Sequence, residues 1–345
     1  MKRTTMSDVA AVARVGKITV SRVLNGSPHV AEKTKKRVLA AVKKLSYVPD
    51  ESARALRLQK SHCIGLIVPA LIDHFFAICA HVIHETAEKH GYMVMTVSSN
   101  GDPDTEANQI QAMLRRRIDG IVLVPASNRK CLLSTPEYSS MPAVAFDRPI
   151  ANGEQDLVMV ENQRGAKMAV EHLVEHGHRR IAYLGPSGSL FTIAERLRGF
   201  RKAAEKSGIE TQEFSCIDDL QQTIAVLKEL RASDAPPTAV FTPNNVTTQL
   251  VMEAILELDI DVPGTLALVG FDNFELAHVL QPPVTVVSQP VEEMARCAAE
   301  MLFERLQDGG AELPPRKIKL PVQLLIRNSC GCKRGVPHVV APVSV

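Results

Sequence analysis

The sequence predicts an all-α helix-turn-helix head domain followed by a two-lobed α/β domain with parallel sheets. Three observations predict it. Two short apolar-periodic segments near the N-terminus are separated by a three-residue break. Basic charge is concentrated in the same region, with fourteen Lys and Arg against four Asp and Glu over residues 1–62. From residue 63 onward, continuous apolar runs alternate with amphipathic ones, the pattern of parallel strands covered by helices on both faces.

The head is taken as residues 1–48. In its first segment Val9, Val12 and Ala13 recur at helical spacing, and in its second Val20, Val23 and Leu24 do so. Arg14, Val15 and Gly16 leave room only for a turn. Packing the second helix through its apolar residues puts Lys17, Ile18, Ser21 and Arg22 on the outer face. Thr5 is an N-cap candidate, with Asp8 three residues on to favour the helix dipole. A third helix is expected over about 31–45, with Val38, Val42 and Leu45 inward and a row of lysines outward. Pro49 ends it, and Asp50 could cap a two-turn helix reaching Leu58, too short to be stable alone. Residues 49–61 are therefore read as a hinge.

The chain has 345 residues and a net charge of +2, which hides +10 over residues 1–62 and −8 over the rest. That asymmetry is the footprint of a nucleic-acid-binding head on an acidic body. No apolar run approaches the length of a membrane span, and MKRTTMSDVA lacks a signal core, so a cytoplasmic protein is expected. Seven scattered cysteines fit a reduced compartment. Cys330-Gly-Cys332 is the one tight pair, and its spacing reads as incidental. His172, His176 and His178 cluster at a helix end, but with no third or fourth ligand evident in the sequence no metal is assigned to them. Gly185 to Ser189 follows a strand without the Gly-Lys-Ser/Thr of a phosphate loop. No nucleophile–base pair is visible, so an enzyme is not expected.

The pattern DVAxxAxV…TVSRVLNG, followed by VxEKTKxRVxxAxxxLxYxP, resembles the LacI/GalR family of bacterial transcription regulators. The resemblance is close in the head and looser to about Cys330. It implies a sequence-specific DNA-binding regulator, a repressor in the usual case, whose partners are a pseudo-palindromic operator, a second copy of itself and a small-molecule effector. No bound cofactor is implied; the effector would be a sugar, sugar acid or sugar phosphate, and the membrane plays no part. The DNA-facing set it implies is Thr5, Lys17, Ile18, Thr19, Ser21, Arg22, Asn25, His29, Tyr47, Ala53 and Leu56. Arg22 could bond a guanine edge twice, Ile18 could meet a thymine methyl, and Leu56 would be a wedge in the minor groove. The chain departs from the family where Arg14 replaces a turn Gly, Gly16 a capping hydroxyl and Ala31 a capping Ser.

Residues 62–332 resemble the periplasmic-binding-protein fold that forms the family's effector domain. Its three crossings between lobes are expected near Val160, Pro290 and Lys319, giving an N-lobe of about 62–160 and 291–319 and a C-lobe of about 161–290 and 320–332. The tail 333–345 has no heptad pattern. Strands are read at 63–69, 92–99, 119–125, 142–147, 157–162, 180–185, 238–243, 266–272 and 285–290. Ligands of open α/β sheets sit beyond the carboxyl ends of strands. Those ends offer Asp73, Phe75, Phe76, Asp147, Arg148, Asn162, Thr192, Arg196, Asn244 and Asp272 as effector-binding residues, with Arg196 also favoured by the resemblance. Hydroxyls both donate and accept, so Asp, Asn and Arg together suit a polyhydroxyl ligand. Phe75 reads as core and Phe76 as the more available ring.

Overall fold

The computed structural model describes residues 4–24, 26–47, 60–128, 131–138, 140–151, 153–188, 190–332 and 339–340. Asn25, Ala53 and Leu56, and the hinge through residue 59, lie outside them. The chain divides into two units, Met1–Ser61 and His62–Val345.

The first unit holds α1 (Met6–Ala13), α2 (Lys17–Leu24) and α3 (Glu32–Lys44). Thr5 caps α1 reciprocally. Its hydroxyl accepts from the Asp8 N–H, and the Asp8 carboxylate accepts from the Thr5 N–H at 2.8 Å. Val9, Ala10, Ala13, Val20, Val23, Val38, Ala41 and Tyr47 form the core. Val12, expected inside, is 45% exposed, and Ala10 takes its place. The reason is helix phase: with only eight residues the buried stripe is narrow, and it runs through Val9 and Ala13.

The Arg14 departure has a visible consequence. Arg14 sits in the left-handed region at φ 51°, ψ 51°, where its N–H caps the carbonyls of Ala10 and Ala11. A side chain there costs about 1–2 kcal/mol. Arg37 on α3 offsets this by donating to the carbonyls of Ala13 (2.5 Å) and Arg14 (3.1 Å), placing a cation at the negative end of α1. At the start of α3, Ala31 makes no side-chain cap.

The second unit is two doubly wound lobes. The N-lobe strands are β1 (Cys63–Val68), β2 (Met93–Ser98), β3 (Gly120–Leu123), β4 (Ala143–Phe146), β5 (Asp156–Val160) and β11 (Lys317–Leu320). Their order is β11-β5-β4-β3-β1-β2, and every pairing is parallel. The C-lobe strands are β6 (Arg180–Gly185), β7 (Glu210–Ser215), β8 (Ala239–Thr242), β9 (Ala267–Phe271), β10 (Thr285–Ser288), β12 (Gln323–Leu325) and β13 (Val339–Val340). Their order is β13-β12-β10-β9-β8-β6-β7, with β12 and β13 antiparallel. The parallel strands of both lobes thus run 2-1-3-4-5, the order whose switch point lies beside the first strand.

In the N-lobe, α4 (His74–Lys89) packs against α10 (Val291–Arg305), and α10 lies on β3, β4 and β5; α5 (Pro103–Arg115) follows β2 in the chain and packs on β1. In the C-lobe, α6 (Asn162–Glu175) pairs with α7 (Phe191–Ser207), while α8 (Leu220–Ala232) pairs with α9 (Asn245–Glu257). The chain passes between sheets after β5, after β10 and between β11 and β12. One core cluster runs through both lobes, including Phe76, Val160, Phe271, Val287 and Met294. Among the described residues no helix is long and apolar enough to cross a membrane.

Several elements escaped the pattern of apolar runs: the strands β7, β11, β12 and β13, and the helix α8. β7 (ETQEFS) is an edge strand paired only with β6 and largely exposed, so its residues are polar. The helix α8 after it buries Thr223, Ile224, Val226, Leu227 and Leu230.

Replacing Arg14 by Gly is expected to stabilise the head by up to about 1 kcal/mol, the relieved left-handed strain less the entropy gained by the unfolded chain. Native-state hydrogen exchange of the α1 and α2 amides in the full chain measures this; faster exchange in the variant would contradict it.

Candidate functional site

Two surfaces carry chemistry. On the head, α2 packs through Val20 and Val23 and leaves Lys17, Ile18 and Arg22 exposed, with Thr19 and Ser21 half-buried. Ile18 is 72% exposed, an apolar side chain standing among cations. Thr5 and His29 are exposed. Tyr47 is placed differently from the rest of the DNA-facing set: it is 8% exposed and belongs to the head core, so its ring fixes the end of α3.

In the body, a cavity of ≈ 190 Å³ is lined by Asp73, Phe75, Phe76, Asp147, Arg148, Thr192, Arg196, Asn244, Asn245, Asp272 and Gln289, with an apolar rim. It is smaller than the roughly 300–1,000 Å³ of sites for drug-sized ligands. The two lobes contribute equivalent corners. β4 ends in Phe146-Asp147 and β9 in Phe271-Asp272, at matching positions in the two sheets. Both aspartates have positive φ (67° and 72°). Each donates its N–H to the neighbouring strand, Asp147 to Val158 at 2.9 Å and Asp272 to Val287 at 2.8 Å. The turn swings each carboxylate off the strand end.

Arg196 on α7 is the centre. It is 2% exposed and its guanidinium lies 3.7 Å from the Phe271 ring centroid. Nε donates to Asn162 Oδ1 at 2.8 Å, and Nη1 donates to the Pro243 carbonyl at 2.6 Å and to Asp272 Oδ2 at 2.9 Å. Among the described residues Nη2 has no hydrogen-bond acceptor. Gln289 Nε2 donates to Asp272 Oδ1 at 2.5 Å. Asp147 lies 3.6 Å from Arg148 Nε. Burial pushes the Asp147 carboxyl up against the opposing pull of Arg148 and Arg196, and pushes Asp272 up against Arg196 and its hydrogen bonds. Burial also lowers Arg148. A ligand hydroxyl donating to either carboxylate would relieve part of that burial penalty.

Two lining atoms are buried and, among the described residues, lack hydrogen-bond partners: Arg148 Nε, a donor, and Gln289 Oε1, an acceptor. Such groups are costly unless something pairs with them. The carboxylates, amides and guanidinium groups lining this one small cavity match hydroxyl groups, which both donate and accept. The lobes also touch here, Asn245 Nδ2 donating to Asp73 Oδ1 at 3.1 Å. Asp73 and Asn244 meanwhile cap α4 and α9, accepting from Phe75 N–H (3.0 Å) and Thr247 N–H (2.8 Å).

Three readings from sequence shift. Asn162 is buried behind Arg196 and orients it, outside the cavity lining. Phe76 is the more buried ring at 8% exposed, while Phe75 is half-buried, packing edge-on against Phe76 with centroids 5.1 Å apart. The helical period of α4 decides this, since Phe76 shares the inward face with Cys79 and Ile83 at i+3 and i+7. Gln289 was missed. Its signal was its place just past β10, at a carboxyl end and a crossing between lobes.

Residues 5–50 match the sequence model of bacterial regulatory proteins of the lacI family, and residues 170–330 that of a periplasmic binding protein-like domain. The chain is 30% identical over 331 residues to an HTH-type transcriptional repressor PurR of Mannheimia succiniciproducens, covering 94% of this chain and 98% of that one. It is 28% identical over 331 residues to the ribose operon repressor of Escherichia coli, covering 94% and 99%. Among solved structures, the lac repressor dimer bound to operator and the anti-inducer ONPF matches with a TM-score of 0.82 at 26% identity, over 95% of this chain and 99% of that one.

Arg196→Ala would leave Asp272 buried without its cation. A loss of about 3–5 kcal/mol in body stability is expected by chemical denaturation. A loss below 1 kcal/mol would mean that the guanidinium does not hold the strand ends together.

Proposed function

The chain belongs to the LacI family of bacterial regulatory proteins, and from that premise we propose that it is a repressor whose operator affinity is set by a small polyhydroxyl effector bound between the lobes. It is a DNA-binding regulator, not an enzyme, with a ligand-binding-type body. The observation that carries the finer reading is the convergence of Asp147, Arg148, Arg196, Asp272 and Gln289 from both lobes on one small cavity. A single sugar ring offers neighbouring hydroxyls that can accept from Arg148 and Nη2 of Arg196 and donate to Gln289, Asp147 or Asp272. The half-buried Phe75 gives such a ring an apolar wall.

Two copies acting together follow from the likeness to a lac repressor solved as a dimer on its operator. Each α2 would enter the major groove of one half-site. Lys17 and Arg22 would reach base edges and Ile18 a thymine methyl, as judged from their exposure on one face. The effector acts by differential binding: it favours whichever lobe arrangement its contacts complete, typically by about 1–3 kcal/mol of coupling. Hinge residues 49–61, with Ala53 and Leu56, would carry that choice to the head.

A thermal-shift series of pentoses, hexoses, sugar acids and sugar phosphates tests the ligand class, because a bound ligand raises stability by RT ln(1 + [L]/Kd). At least one is expected to raise the Tm. Arg148→Met should weaken that ligand about tenfold or more while operator affinity in its absence is unchanged; equal ligand affinity would remove Arg148 from the site. Arg22→Ala should cost about 1–3 kcal/mol of discrimination between operator and mutated operator in salt-controlled shift assays. Equal weakening on all DNA would place Arg22 on phosphate instead.

A further inference from the structure

A second cluster of donor atoms lies in the C-lobe. α6 ends with His172 and His176 one turn apart on one face, their ring centroids separated by 4.4 Å. His176 Nδ1 lies 2.8 Å from the His172 carbonyl oxygen. A carbonyl only accepts, so Nδ1 carries the proton and Nε2 keeps a lone pair. That Nε2 is 2.9 Å from Cys332 Sγ, and His172 Nε2 is 3.8 Å from the same sulfur. Cys330 completes the group: the donor atoms of His172, Cys330 and Cys332 all lie within 4.8 Å of one another. Spacing along the sequence offers two histidines and, far away, two cysteines; the fold brings the donor atoms of His172, Cys330 and Cys332 together and sets His176 Nε2 beside Cys332.

The segment carrying the thiols is fixed. Asn328 and Ser329 both donate their N–H groups to the Pro283 carbonyl, at 3.1 and 3.0 Å. Ser329 Oγ donates to the Leu268 carbonyl at 2.6 Å and accepts from Thr285 N–H at 2.8 Å. Asn328 Nδ2 donates to the Cys332 carbonyl at 3.0 Å. Gly331, at φ +95°, makes the turn that leaves both sulfurs near His172, in a region where a side chain would be strained. Thr285 Oγ1 donates to Cys330 Sγ at 3.1 Å, a bond that would steady a thiolate.

We propose that His172, His176, Cys330 and Cys332 form a binding site for one thiophilic divalent cation, zinc foremost. Two imidazole nitrogens and two thiolates are a complete tetrahedral set for zinc, which leaves no open position and makes the site structural. Bonds of about 2.0–2.3 Å put tetrahedral ligands roughly 3.3–3.8 Å apart, so the His172, Cys330 and Cys332 donors would draw together while the His176–Cys332 pair, at 2.9 Å, would open. Binding is ligand exchange without redox change: each thiol gives its proton to solvent and its sulfur lone pair to the metal. The His176 Nδ1–H bond to a backbone carbonyl is the outer contact that orients metal-bound imidazoles elsewhere. The cation would tie the end of α6 to the loop after β12. The start of α6 is Asn162, which holds Arg196 in the cleft.

The test uses the full-length protein, reduced, stripped with a chelator and titrated anaerobically with Co²⁺. Expected are about one equivalent bound per chain, the intense visible bands of tetrahedral cobalt with thiolate-to-cobalt charge transfer, and displacement of both by Zn²⁺. Cys332→Ser and, separately, His176→Gln should weaken cobalt at least about tenfold or abolish the bands. His176 is exposed, so the second variant should keep its cooperative melt and its DNA binding. Weak octahedral absorption in the parent, or unchanged bands in both variants, would overturn the proposal. So would a reduced parent that binds no cobalt.

Discussion

A single buried guanidinium organises the body of this protein. Arg196 is permanently charged and removed from water, and such a charge is tolerated only when paired and hydrogen-bonded. Its planar fork therefore dictates where three other pieces of chain must lie. Asn162 comes from the first crossing between lobes, Pro243 from the end of β8 and Asp272 from the end of β9. Through Asp272 the network reaches Gln289, at the second crossing. The Phe271 ring beneath the guanidinium adds a cation–π contact, about 2 kcal/mol or more when desolvated. A ligand that touches Nη2 thus touches a rigid unit joined to two of the three strands of chain between lobes.

The cleft is built twice from one plan. Both sheets run in the same order, and both fourth strands end in Phe-Asp with the aspartate at positive φ. The duplication brings two carboxylates to one cavity, a repulsive arrangement that Arg148 and Arg196 offset. The balance is incomplete: an orphan donor and an orphan acceptor remain in the wall.

The head shows the opposite economy. Among the described residues its core is eight buried side chains, and two of its helix starts lack a capping hydroxyl, Gly16 before α2 and Ala31 before α3. Stability comes from the reciprocal Thr5–Asp8 cap and from Arg37 closing the Arg14 turn. This leaves the outer face of α2 free for Lys17, Ile18 and Arg22, none of which is spent on packing.

The sequence by itself determined whatever rests on local periodicity. The helix-turn-helix follows from Val9, Ala13, Val20 and Val23; the α/β class follows from continuous apolar strands, because a strand buried on both faces must be apolar along its length. Asp147, Arg196 and Asp272 could be singled out because a carboxyl end or a helix start is a local feature. Tertiary structure decided the rest. β7 is polar because it is an edge, and the order of a sheet is not written in any one strand. Which of Phe75 and Phe76 faces the core depended on the exact phase of α4, and Val12 lost its place in the head by the same cause. Asn162 became a support for Arg196 only because α6 and α7 pack together. The sulfurs of Cys330 and Cys332 met His172 and His176 because α6 and the last described loop lie on the same sheet. Contacts between residues so distant in the chain are fixed by sheet order and helix packing, not by spacing.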